Sequence, residues 1–269
     1  MVREVRDQRY VPGGGAAQCL DLLIPEEDAA RPVVVFIHGG AWRSGSRTQF
    51  DDADGPGFVA LRDVLVAQGW ATVSVDYRLT SEAQMPAQLD DVAAAVRWVR
   101  SSAGEFGLDA ERIAVVGESA GGHLAQLLGT TGEGGAVRAV VSYYGVSDLA
   151  GLVPDRVATG CGRGEAGRRS PEGLLIGADP AAPAAADVAA QASPLTHVSS
   201  SSAPTLFLHG LQDCVVPHLQ SERAHAAMQA AGAESELVLV DGGHAEPHFF
   251  SSPDLQQSAI IFLARHLDT

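Results

Sequence analysis

Ser119 lies within Gly117-Glu118-Ser119-Ala120-Gly121, a glycine-x-serine-x-glycine run. The pattern alone is common, but its surroundings are not. Ile113–Val116 reads as a buried strand, and Ala120–Leu128 reads as a helix that begins at once. A serine on so sharp a strand-to-helix turn must adopt strained backbone angles. Small neighbours permit that turn and keep the hydroxyl exposed. The helix N-terminus adds unpaired N–H groups and a partial positive charge, which favour an anion there. A plain helix cap would need neither glycine, so the residue reads as a nucleophile.

A serine hydroxyl attacks poorly at neutral pH unless a base removes its proton. In a strand-turn-helix setting of this kind the order in the chain is serine, acid, histidine. Asp213 follows the strand Thr205–Leu208 in the loop His209-Gly210-Leu211-Gln212-Asp213, and His244 follows the strand Leu237–Val240 behind Gly242 and Gly243. Both are loop residues at strand ends. His248, four residues beyond His244, competes for the role of base. Asp241 is discounted as the acid because it shares one short loop with the histidine. His123 reads as a packed helix-face residue, His209 as a shaper of the acid loop, and Cys214 as a small apolar group beside Asp213.

His38-Gly39-Gly40-Ala41-Trp42 comes directly after the strand Val33–Ile37. Attack on a carbonyl creates a full negative charge on oxygen, and preorganised backbone N–H groups are its natural partners; losing one typically costs about 10²–10³ in rate. Paired glycines let main chain approach the reacting carbonyl with no side chain between. The alternative, an ordinary glycine turn beside a buried tryptophan, fits less well beside a strand-flanked serine and an ordered acid and base.

The elements needed to position these loops are visible as short β-branched runs alternating with helical patterns. Strands are expected at Cys19–Ile24, Val33–Ile37, Ala71–Val75, Ile113–Val116, Ala139–Tyr143, Thr205–Leu208 and Leu237–Val240. Several are apolar throughout, as parallel strands covered on both faces are. Helices are expected at Phe58–Gln68, Gln88–Arg100, His123–Leu128, His218–Ala231 and Leu255–Leu267. In the second of these Leu89, Val92, Ala93, Val96 and Val99 recur at helical spacing. Strand and helix in alternation predict an α/β fold with a mostly parallel sheet. Residues 151–200 break the rhythm, and Pro180 and Pro183 prevent one continuous helix there. This stretch is either a solvated excursion or a cap over the site. With no repeat and no linker between two cores, residues 1–269 read as one domain carrying a cap-like insertion.

The chain has 269 residues, 18 basic side chains (all arginine) and 33 acidic ones, for a net charge of −15. Nucleic acid and anionic membrane surfaces are therefore poor partners, since both are held mainly by clustered Lys and Arg. No run approaches the roughly 18 apolar residues of a membrane helix. Met1–Asp7 lacks the apolar core of a signal peptide. Cys19, Cys161 and Cys214 are odd in number and have no metal-ligand spacing. They read as free thiols in a reducing compartment, which predicts a soluble, cytoplasmic protein without a metal.

Together the segments HGGAW (His38–Trp42), DYRL (Asp76–Leu79), GESAGGH (Gly117–His123) and HGLQDCVVP (His209–Pro217) resemble the α/β-hydrolase superfamily. Within it they are similar to the small esterases and lipases related to hormone-sensitive lipase and to the bimodular feruloyl-esterase-like group (BD-FAE). The resemblance runs from about residue 18 to the end of the chain. It implies an eight-stranded, mostly parallel sheet whose first strands are antiparallel, helices on both faces and a small cap region. It also implies a cofactor-free serine hydrolase with Ser119 as nucleophile, Asp213 as orienting acid and His244 as base. The N–H groups of Gly40, Ala41 and Ala120 become the oxyanion donors. Trp42, Tyr77 and the 151–200 segment become pocket-shaping elements. The expected reaction is hydrolysis of small, neutral, short-acyl or aryl carboxylic esters. Ala41 stands where hormone-sensitive-lipase relatives usually carry a third glycine. The HGG-x-W form also occurs in kynurenine formamidases, so arylformamidase is an alternative, and a catalytically silent binding module is another.

Overall fold

Alternate residues of each central strand face opposite ways, and in this chain both sets are apolar. The computed structural model describes residues 1–26, 29–52 and 57–268. In it Val33, Val35 and Ile37 face one core while Val34 and Phe36 face the other, and Val115 likewise opposes Ala114 and Val116. Two apolar faces per strand demand a layer on each side. The strands are β1 (Val2–Arg9), β2 (Cys19–Pro25), β3 (Arg31–Ile37), β4 (Ala71–Val75), β5 (Leu108–Glu118), β6 (Val140–Tyr143), β7 (Thr205–Gly210) and β8 (Ser235–Val240). They form one sheet in the order β1-β2-β4-β3-β5-β6-β7-β8. β2 pairs antiparallel with both its neighbours and every other pairing is parallel.

The helices are α1 (Phe58–Ala67), α2 (Ala87–Phe106), α3 (Ala120–Thr131), α4 (Leu152–Ala158), α5 (Pro171–Ile176), α6 (Ala186–Gln191), α7 (Leu219–Ala231), α8 (His248–Ser251) and α9 (Pro253–Leu267). α2 and α3 cover one face through Val92, Val96, Val99, Leu124, Leu127 and Leu128. α1 and α9 cover the other through Phe58, Leu61, Leu65, Phe262 and Leu263. Because β3, β5, β7 and β8 are mutually parallel, the loops that follow them emerge at one edge of the sheet, the usual place for a site in an open α/β sheet.

The strand β1 has no counterpart among the sequence-based expectations. It reads VREVRDQR and is mostly exposed; a charged edge strand carries no apolar pattern, and its charges deter edge-to-edge pairing with other chains. Residues 151–200 contain α4, α5 and α6, whose Leu152, Leu175, Ile176 and Ala189 are buried in the same core as α2 and α3. The prolines act as anticipated, since α6 starts only at Ala186.

The cysteine reading needs correction. Cys161, in the loop after α4, is disulfide-bonded to Cys214 across 53 residues, and Cys19 is the free cysteine, buried in β2. Cys214 is therefore not a small apolar filler, and the free-thiol argument for a reducing compartment no longer holds. Among the described residues no helix is long and apolar enough to cross a membrane.

Candidate active site

The turn from β5 into α3 is forced by close backbone approach. A Cβ at Gly121 would lie 2.0 Å from the carbonyl oxygen of Ile37, and one at Gly117 would lie 2.2 Å from that of Gly121. Only glycines let the first turn of α3 settle against the end of β3. Ser119, between them, has φ 51° and ψ −115°, a sparsely populated conformation for a residue with a side chain. Gly121→Ala sets a methyl group against backbone that cannot swing aside. Overpacking of this kind costs about 3 kcal/mol. A urea denaturation curve for G121A should therefore move to clearly lower midpoint; an unchanged midpoint would mean the turn can relax.

Three loops converge on this serine. Nε2 of His244 accepts the hydroxyl proton of Ser119 at 3.0 Å, and Nδ1–H of the same ring donates to Oδ2 of Asp213 at 2.6 Å. The other carboxylate oxygen, Oδ1, accepts the N–H groups of Val215 (2.8 Å) and Val216 (2.9 Å). Burial alone would raise the pKa of Asp213, but hydrogen bonds from His209 and His244 outweigh it and hold the pKa at about 2. The acid is thus ionised at any ordinary pH, as the orienter of an imidazole must be.

His209, fully buried, supports this loop. Its Nε2–H faces the Val216 carbonyl at 2.7 Å and the Asp213 carboxylate at 3.4 Å, while Nδ1 accepts from the Ser221 hydroxyl at 2.7 Å. His248 does not reach Ser119: it opens α8, contacts the Glu246 carboxylate at 3.3 Å and stacks on Phe249. Of the two histidines, it is His244 that lies within hydrogen-bonding reach of Ser119. Asp241 is likewise apart, touching Gln212 at 3.4 Å.

On the opposite side of Ser119, Gly40, Ala41 and Trp42 all have positive φ, at 96°, 55° and 57°. A Cβ at Gly40 would meet the Ser44 carbonyl oxygen at 2.1 Å, so this turn can close only on a glycine. Carbonyl Gly40 accepts the N–H groups of Arg43 and Ser44 at 3.0 and 3.1 Å. Among the described residues no backbone carbonyl takes the N–H groups of Gly40, Ala41 or Ala120. Gly40 and Ala41 line a cavity of about 380 Å³ with Arg43, Ser44, Phe58, Glu118, Ser119, Val215, His244 and Ala245.

Trp42 and Tyr77 are not in this wall. The left-handed backbone at Trp42 turns its indole inward, where it is 3% exposed and meets His123 edge-on at 5.1 Å. Tyr77 is also buried, stacks on His38 at 4.3 Å and donates its hydroxyl to the His38 carbonyl at 3.0 Å. Both brace the glycine loop from beneath instead of shaping the cavity. His123, in α3, donates from Nε2 to the Ala192 carbonyl at 2.7 Å and so ties the end of the 151–200 segment to the helix behind Ser119.

Two contributors escaped the sequence reading. The Tyr144 ring packs edge-on against His244 at 4.8 Å, limiting the tilt of the imidazole. Glu118 is buried beside the serine, and a Cβ on Gly39 would fall 1.9 Å from its carboxylate, so the acid fills the space under the glycine loop. Burial pushes its carboxyl above the usual carboxylate range against the opposing charge of His244. Its position inside the glycine-x-serine-x-glycine run was the available signal. Among the described residues no group of three or more His, Cys, Asp or Glu is arranged to hold a metal ion.

The two buried histidines have a consequence for stability. Burial lowers His38 and His123 from 6.5 to about 4 each. Between these values the unfolded chain binds protons that the folded chain refuses, so stability is complete above pH 6.5 and is lost as pH falls towards 4. Each histidine contributes a slope of up to about 1.4 kcal/mol per pH unit. Urea denaturation at stepped pH should show the decline, and His123→Gln should make it shallower; equal slopes would contradict this origin.

Comparison with known proteins bears on the family and the fold. The family model described as BD-FAE matches residues 20–228. Esterase LipC of Mycobacterium tuberculosis is 32% identical over 91% of this chain and 63% of its own length. Esterase LipQ of the same organism is 30% identical over 86% of this chain and 54% of its own. The chain thus spans between about half and two-thirds of these curated relatives. Among solved structures, one described as a truncated form of carbohydrate esterase from gut microbiota superposes with a TM-score of 0.85 at 26% identity, covering 99% of this chain and 97% of that one.

Proposed function

The chain belongs to the BD-FAE family and has the α/β-hydrolase fold, and from that premise we propose that it is a serine carboxylesterase acting on small, neutral, short-acyl or aryl esters. The observation that carries this reading is the continuous relay from Ser119 through His244 to Asp213, with contacts of 3.0 and 2.6 Å. His244 takes the serine proton as the hydroxyl attacks the ester carbonyl. Asp213 fixes the tautomer and stabilises the imidazolium that forms. The negative oxygen rests on the N–H groups of Gly40, Ala41 and Ala120, which no backbone carbonyl takes among the described residues. Collapse expels the alcohol, which receives its proton from His244. Water then enters, loses a proton to the same histidine and releases the acid by the reverse sequence.

Ester is preferred to formamide because the similar curated proteins LipC and LipQ are named esterases. A cavity of about 380 Å³ fits a small substrate. A panel of nitrophenyl esters of graded chain length, aryl and feruloyl esters, and N-formylkynurenine tests the assignment. Turnover of short or aryl esters is the expected result. Preference for the formamide by orders of magnitude in kcat/KM would overturn it. The intact triad geometry likewise speaks against a silent binding module.

A further inference from the structure

Val215 is an apolar side chain that is 52% exposed, yet it stands in the wall of the cavity above Ser119. Its backbone is held on both sides: the N–H donates to Asp213 at 2.8 Å, and the carbonyl accepts from Nε of Arg156 at 2.9 Å. The residue before it, Cys214, is bonded to Cys161 with the two Cα atoms 5.2 Å apart. Arg156 is itself buried on α4, donates to the Glu165 carbonyl at 2.9 Å and lies 3.7 Å from the Glu172 carboxylate. Glu165 in turn reaches Arg43, on the glycine-loop side of the cavity, at 3.5 Å. The loop between α4 and α5 therefore joins the two sides of the cavity mouth, and the disulfide is its only covalent link to the acid loop among the described residues.

We propose that Val215 is a specificity-determining residue and that the Cys161–Cys214 disulfide is the clamp that holds it in the cavity wall, so that the oxidised protein rejects bulky esters and the reduced protein accepts them. The proposal rests on the serine-esterase reading and adds a size filter to it. Asp213 has anchors that do not depend on the clamp, namely the Val216 N–H, His209 and His244. Opening the disulfide consequently releases the wall more than the relay. A dithiol accomplishes this in two exchanges. One thiolate attacks a protein sulfur to give a mixed disulfide, and the second closes the reagent into a ring. Cys161 and Cys214 each leave as thiols while the dithiol is oxidised by two electrons.

The test compares the full chain as air-oxidised protein, after dithiothreitol, as Cys161→Ser and as Val215→Ala. Thiol titration of unfolded protein should find one free thiol before reduction and three after it, the chain having three cysteines. In the reduced protein, in C161S and in V215A, kcat/KM for bulky acyl or aryl esters relative to nitrophenyl acetate should rise about tenfold, the scale of a methylene-sized wall contact. Amide hydrogen exchange at residues 214–216 should quicken on reduction and in C161S. Three thiols in the air-oxidised protein, an unchanged selectivity ratio in all three altered forms, or unchanged exchange at 214–216 would each overturn the clamp. If no form turns over any ester, the esterase reading fails, whereas exchange at 214–216 still decides whether the disulfide holds this wall.

Discussion

Ser119→Ala should abolish ester hydrolysis, lowering kcat by about 10⁶ while leaving the folded protein intact. The size follows from the division of labour in the site. In the proposed mechanism the serine oxygen bonds to the substrate, and water admitted in its place has neither the covalent intermediate nor the 3.0 Å contact to His244. The remaining acceleration would come from the backbone donors alone. Stability should hold, because alanine keeps the Cβ and so the same backbone strain at φ 51°, and it sheds no structural hydrogen bond beyond the one to His244. A variant that loses stability together with activity would show that the hydroxyl serves the fold. One that keeps more than about a thousandth of the activity would show that another group attacks.

Asp213→Asn should lower kcat by about 10⁴ with little change in KM. The side chains are nearly the same shape, but an amide presents N–H where the carboxylate accepts. Oδ1 now receives two backbone N–H groups and Oδ2 receives His244 Nδ1–H. The asparagine oxygen can serve one of these partners only. If it stays with the backbone pair, the amide nitrogen faces His244 and selects the tautomer in which Nε2 carries the proton, which cannot take one from Ser119. The substitution also removes a pH dependence. Asp213 is held at about 2, below the ordinary 3.8, so its ionised form stabilises the fold above that range, and this contribution disappears as pH falls from 3.8 towards 2. Denaturation curves for D213N should be flatter across that interval than those of the parent.

The relay was legible because each of its members sits where a strand meets glycine. Gly117 and Gly121 frame Ser119, Gly210 precedes Asp213, and Gly242 and Gly243 precede His244. The chemistry thus lay in local spacing. Features fixed by tertiary packing were not legible. Charged β1 is a strand because β2 offers it a partner, and nothing in its own residues alternates between apolar and polar. Cys161 and Cys214 are 53 residues apart, and the excursion that brings them together has no strong periodicity. An odd cysteine count argued against a bond that the fold makes. The resemblance places Trp42 and Tyr77 at the pocket, but the positive φ at Trp42 sends its ring into the core and Tyr77 is buried against His38. Tyr144 follows β6, far in sequence from the histidine it braces.

The central claim is that Ser119 is an activated nucleophile, and covalent labelling with a fluorophosphonate tests it without requiring knowledge of the substrate. Incubation of the folded protein should give one adduct per chain, mapped to Ser119 by peptide mass spectrometry, with none on S119A and far slower labelling of D213N. Absence of an adduct on folded protein, or an adduct on a different residue, would contradict the account.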